Sequence, residues 1–122
     1  MSELDDVERD FLIEGLDDWI GLWRFARSVR DERPDGTSDE VRERSMPMVR
    51  ELVVGGYMRP GRLTEDRPGF SEWEEDAEAA VERIEREWRE LGRDPNIPDV
   101  CWFSNTELGD RVARESLAAR SG

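Results

Sequence analysis

The strongest constraint on this chain lies between residues 72 and 91, where Trp73, Ala77, Ala80, Val81, Ile84, Trp88 and Leu91 recur at helical spacing. Nine Glu or Asp and three Arg fill the other positions. A stripe of that period buries itself against a neighbour while the opposite side faces water. The segment is therefore predicted to be an amphipathic, acidic helix, capped by Ser71 and closed by Gly92, with Pro95 and Pro98 holding the next loop open. Two Trp on one stripe also suit a helix that docks in a partner's groove, but packing on the chain's own core is the commoner fate.

The elements around it follow from the same periodicity. Leu4, Val7, Phe11 and Leu12 predict a helix over 3–14, with Ser2 as its cap and Gly15 as its end. Asp17 and Asp18 are cap candidates for a second helix whose face runs through Trp19, Ile20, Leu22, Trp23, Phe25, Ala26 and Val29 until Pro34 and Gly36. A third starts at Thr37 or Ser38, carries Val41, Met48, Val49, Leu52 and Val53, and ends in a left-handed cap at Gly55-Gly56. Pro47 removes a hydrogen bond inside it, so a kink or two pieces divided near Ser45 are expected. Residues 57–63 are expected to be extended, with Pro60 confining them to a sheet edge or a bulge. Val100 to Phe103 reads as a short strand, and Thr106 caps a last helix through Val112, Ala113 and Leu117. One core is expected to draw on Trp19 or Ile20 with Leu22, Trp23, Val49, Leu52, Val53, Ile84, Trp88 and Trp102.

Composition narrows the chemistry. The 122 residues carry 18 Arg and 31 acidic side chains for a net charge of −13, with no Lys, Gln or His. A GC-rich genome explains the missing Lys and Gln, and a salt-loving host would also favour the acidic excess. The lone Cys101 excludes an internal disulfide, and with no His nearly every zinc, haem or catalytic-dyad arrangement is removed, so no cofactor is expected. Asp17 and Asp18 suit helix capping better than acid–base work, and a Mg²⁺ pair at Glu78 and Glu82 has no specificity beyond helical spacing. The chain is expected to be non-enzymatic. No run of about 18 apolar residues exists and the N-terminus is acidic, so neither a membrane span nor a secretory signal is expected and the cytoplasm is the expected compartment.

Two local patterns point to a family. Val49-Arg50-Glu51-Leu52-Val53-Val54-Gly55-Gly56-Tyr57-Met58 resembles the end of a recognition helix running into the first wing strand of winged helix-turn-helix regulators. Trp102-Phe103-Ser104-Asn105-Thr106-Glu107-Leu108-Gly109-Asp110-Arg111-Val112-Ala113 resembles their second wing strand and the capped Thr-Glu-x-Gly helix. The resemblance implies a mainly α fold with a small β-hairpin (α+β): a single winged-helix-like domain over 1–122, with 64–99 as a helical insertion at the wing. It also implies DNA contacts from Arg42, Arg44 and Arg50 on the third helix and from Arg59 and Arg62 on the wing.

Charge argues against that transfer. Residues 37–55 hold three Arg against four carboxylates, and DNA affinity rests on neutralising phosphates. A basic face would need Arg24, Arg27, Arg59, Arg62 and Arg67 to converge, whereas local pairing with carboxylates is the plainer fate of these side chains. The expected function is a small acidic interaction module of adaptor, immunity or antitoxin type that binds a basic protein partner. Glu74, Glu75, Glu78, Glu82 and Glu85 of the acidic helix are its candidate surface, against plain solvation as the ordinary role of a charge run. DNA is the alternative ligand, and a homodimer is left open.

Overall fold

The computed structural model describes residues 4–65 and 69–121. The chain runs α1 (Asp6–Glu14), β1 (Ile20–Gly21), α2 (Leu22–Glu32), α3 (Ser38–Val54), β2 (Met58–Thr64), β3 (Gly69–Glu72), α4 (Ala77–Leu91), β4 (Trp102–Asn105) and α5 (Glu107–Ser121). The architecture is α+β. In place of a small hairpin there is a four-stranded antiparallel sheet in the order β1-β4-β2-β3. No described helix is long and apolar enough to cross a membrane.

Helix ends follow cap chemistry, at positions that differ in part from those expected. Asp5 caps α1, accepting from Glu8 N at 2.8 Å, while Glu8 Oε1 accepts from Asp5 N at 3.0 Å, a reciprocal capping box. Ser2 lies outside the described residues. Neither Asp17 nor Asp18 caps α2: Asp18 Oδ1 accepts from Trp19 N, β1 intervenes, and the cap is Gly21. Thr37 caps α3 as expected, and the left-handed residue after it is Gly56, with φ of 83°. The acidic helix starts later than its periodicity suggests, because Ser71 belongs to β3 and Asp76 is the cap; Gly92 closes it with φ of 72°. Val100 also has a positive φ of 67°, so the last strand begins only at Trp102.

Both prolines are accommodated differently from expectation. Pro47 does not divide α3, which is continuous; Pro47 and Glu43, whose carbonyl lacks its usual donor, both lie on the exposed side, where water serves. Pro60 sits in an interior strand. Its carbonyl accepts from Trp73 N at 3.0 Å, and an antiparallel residue points its N and O the same way. The missing N–H therefore faces the side on which β3 has already ended, and no ladder bond to β4 is lost.

The core is one cluster. Phe25 of α2 meets Phe11 of α1 at 4.3 Å between ring centroids and Phe103 of β4 edge-on at 5.1 Å, tying helices to sheet. Ala80, Val81, Ile84 and Trp88 of α4 close it from the α3 side, so the stripe packs on its own chain. Trp23 and Trp102, expected inside, are only half-buried, and of the alternatives Trp19 and Ile20 it is Ile20 that takes the interior place beside Leu22. Arg30 locks the loops together, donating to Asp94 at 3.0 and 3.2 Å and to the carbonyls of Pro34 and Gly36.

Glu8 is a cap residue and also a buried acid. It is 3% exposed, its Oε2 has no partner among the described residues, and burial pushes its carboxyl from 4.5 up to about 7 against the opposing hydrogen bond from Asp5 N–H. The carboxylates of Asp5 and Glu51 add to the rise. Between about pH 4.5 and 7 the folded chain holds a proton that the unfolded chain has released, so stability falls as pH rises through that window. Glu8→Gln keeps the capping box and removes this slope. In urea titrations it is expected to exceed the parent by about 3 kcal/mol above pH 7 and to match it below about pH 4.5. Trp88, 1% exposed, tests the core: Trp88→Ala is expected to lose about 3–5 kcal/mol by the same measurement, and Trp88→Phe far less because the indole N–H has no partner to lose.

Candidate functional site

A groove of about 650 Å³ opens where the end of α3, strand β2 and the first turns of α4 and α5 meet. Its floor is apolar, from Val53, Met58, Pro60, Ala80 and Leu108. Its rim carries the carboxylates of Glu72, Glu75, Glu107 and Asp110, with Arg59 as the one cation and Trp73 at one end.

Local chemistry fixes this geometry. Thr106 Oγ1 accepts from Gly109 N at 3.1 Å, capping α5, and donates to Gly56 O at 2.6 Å, while Thr106 N donates to Tyr57 O at 3.0 Å. The first turn of α5 is thereby pinned to the turn after α3. Gly109 is obligatory there, since an added Cβ would stand 2.1 Å from Tyr57 O. On the other side Arg83 lies flat over Trp73, 3.7 Å from the ring centroid, and donates to Glu87 at 2.7 Å and Glu75 at 2.9 Å. The Arg83 hydrogen bond holds the Glu75 carboxyl below its ordinary range, so this rim residue stays ionised well into acid. Glu107 and Asp110 stand in the first turn of α5, where the helix dipole favours negative charge.

The acidic residues singled out on α4 do not act as one free surface. Glu75 is taken by Arg83, Glu78 by Arg50 of α3 at 2.6 Å, and Glu85 by Arg89 at 2.7 Å. Glu74 and Glu82 are exposed and form no ion pair among the described residues. Among the arginines, Arg42 pairs with Asp39 at 2.9 Å, Arg59 with Glu72 at 3.5 Å and Arg50 with Glu78, while Arg44 and Arg62 are exposed and outside these pairs. Of the further set, Arg24 binds Glu14, Arg27 lies near Asp31, and Arg67 is outside the described residues. The exposed residues of α3 are Asp39, Glu43, Arg44, Pro47, Arg50 and Val54, and α4 packs along another side of that helix.

Cys101 is buried, and burial raises its thiol well above the ordinary value, which keeps it protonated and unreactive. Among the described residues no three Cys, Asp or Glu side chains are grouped to hold a metal ion. Glu72, Glu107 and Asp110 escaped the sequence reading because they lie far apart in the chain; the Thr106 cap with acids in its first turn is the signal that could have marked two of them. Comparison with protein-family models, curated proteins and solved structures gives no match.

The pinning of α5 is open to measurement. Gly109→Ala is expected to destabilise the chain by about 1–3 kcal/mol or more, because the crowding atom is backbone and α5 must shift, and amide exchange should accelerate across α5 before the rest.

Proposed function

We propose that this chain is a non-catalytic interaction module on a winged-helix-like scaffold, of adaptor, immunity or antitoxin type, and that its acid-rimmed groove receives a basic segment of a protein partner. The scaffold reading rests on three helices with β1 between the first two, followed by β2 and β4, with β4 lying between β1 and β2; β3 and α4 then fill the place of the wing tip. The observation that carries the function is the groove itself, where Glu107 and Asp110 stand outside any ion pair among the described residues, beside the Glu72–Arg59 and Glu75–Arg83 pairs and around an apolar floor. Such a site attracts positive charge at a distance and seats an apolar anchor on contact. The exposed, unpaired Glu74 and Glu82 extend the same field along α4.

The DNA alternative has less support. The third helix would have to enter the major groove with Asp39 and Glu43 outward and with Arg50 already bound to Glu78, and −13 overall charge repels phosphate.

A kinetic experiment separates the two. Replacing Glu72, Glu74 and Glu107 together with Gln is expected to slow association with the native partner about tenfold at low salt and to flatten its salt dependence, with folding stability nearly unchanged. Unchanged association, or a partner with an acidic contact surface, would overturn the proposal. Submicromolar duplex binding that weakens steeply with salt and disappears in Arg42→Ala/Arg50→Ala would put the DNA reading in its place.

A further inference from the structure

The sheet has a second face to which the helices contribute Trp23 of α2. Ile20 pairs with Phe103, and Pro60 with Phe103, so these side chains and Met58 share the core side; their neighbours Gly21, Trp102 and Gly61 point the other way. One cross-strand row on that outer face reads Gly21, Trp102, Gly61, Glu72, and Leu63 and Phe70 form the next pair. The two glycines leave room for rings. A Cβ on Gly61 would stand 2.6 Å from Phe70 Cζ, and one on Gly21 would stand 2.4 Å from Trp23 Cδ1 and 3.4 Å from Trp102 Cζ3. Trp19 stacks on Phe70 at 6.4 Å between centroids. Trp19, Trp23, Phe70 and Trp102 are half-buried against one another and take no part in the core cluster.

Elsewhere the chain places an arginine against such rings and a carboxylate behind the arginine. Arg83 lies on Trp73 between Glu75 and Glu87, and Arg24 lies 5.7 and 5.8 Å from the Phe11 and Trp23 rings with Glu14 at 2.6 Å. On the outer face the rings of Trp19, Phe70 and Trp102 have no arginine over them among the described residues. The carboxylates are nevertheless in place. A shallow cavity of about 250 Å³ is lined by Trp19, Ser104 of the outer face, and the exposed Asp17 and Asp18.

We infer that this face binds an arginine side chain of a protein partner, its guanidinium over Trp19 and Trp102 and its charge matched by Asp17 and Asp18. The inference rests on the reading of the chain as a receptor for a basic partner and adds a second contact away from the groove. Arginine fits better than lysine because its planar, weakly hydrated head stacks on an indole while still donating to carboxylates. A nucleic acid strand would also find rings to stack on, but would bring phosphates against Asp17 and Asp18.

The test follows the five indole N–H signals by NMR, assigned through single Trp→Phe variants, during titration of the full chain with a flexible Gly/Ser peptide carrying two arginines. The Trp19 and Trp102 signals are expected to move. Asp17→Asn/Asp18→Asn, which keeps the acceptor for Trp19 N, is expected to weaken the response about threefold or more, and a lysine peptide to bind several-fold more weakly. Glu107→Gln in the groove is expected to leave both signals' response unchanged. Movement confined to Trp73 would overturn this inference and leave the groove reading standing. No movement with millimolar peptide, an equal response to lysine, or a single-stranded oligonucleotide moving the same signals in place of the peptide would overturn it outright.

Discussion

Burial of Ala80, Val81, Ile84 and Trp88 against α3 is the contact on which the rest of the molecule depends. Without α4 the α3 side of the core would be open, and Trp88 is the largest of the fully buried side chains. Once that stripe faces inward, the carboxylates between its members must face outward, because helical period leaves them no other direction. The same contact brings Glu78 to Arg50 and sets the first turn of α4 beside the first turn of α5, which creates the groove. The helix between β3 and β4 is thus part of the interior.

Electrostatics follow from that packing. Arg24, Arg30, Arg42, Arg50, Arg89 and Arg93 each donate side-chain hydrogen bonds to one carboxylate, and Arg83 donates to two. Individually the exposed pairs contribute little to stability. Outside these pairs, among the described residues, stand Glu107 at the groove rim, Glu74 just before α4, Glu82 and Arg86 on it, and Asp17 and Asp18 beside Trp19. Each pair cancels one charge of each sign, so the excess of carboxylates that remains is the −13 balance of the composition.

Much of the helical frame was legible because a cap or a period speaks for it locally. Thr37, Thr106, Gly15 and Gly92 mark ends where expected, and the α4 stripe named its own buried members. What failed was short or set by distant partners. Trp19, Ile20, Leu22 and Trp23 fit a helical period as well as a two-residue one, so sequence merges β1 into the second helix and leaves Trp19 and Ile20 as alternatives for one core place. Strand β3, Gly69-Phe70-Ser71-Glu72, has no β-branched residue and exists because Gly61 lets it approach: a Cβ there would be 2.3 Å from Ser71 O. Pro60 pointed to an edge only because sequence cannot say on which side its ring nitrogen lies. The groove needed four segments to be placed before it existed at all.

The two surfaces differ in kind, and the difference follows from what surrounds each. The groove offers carboxylates over small apolar floor residues, a combination that steers and seats but discriminates weakly among cations. The sheet face offers half-buried indole rings, one of them stacked on Phe70, beside two glycines, and such rings favour a flat cation over a spherical one. Glu72 and Arg59 belong to both, lining the groove while lying on the outer side of β3 and β2. Their ion pair at 3.5 Å, with both side chains more than half exposed, is a contact that solvent already competes for. An incoming arginine near Glu72 would displace Arg59 at little loss, whereas an incoming carboxylate would gain Arg59 only by entering between Glu72 and the remaining acids. On the proposed reading, the junction of the two surfaces would admit a positive partner through the exchange of one weak pair for another.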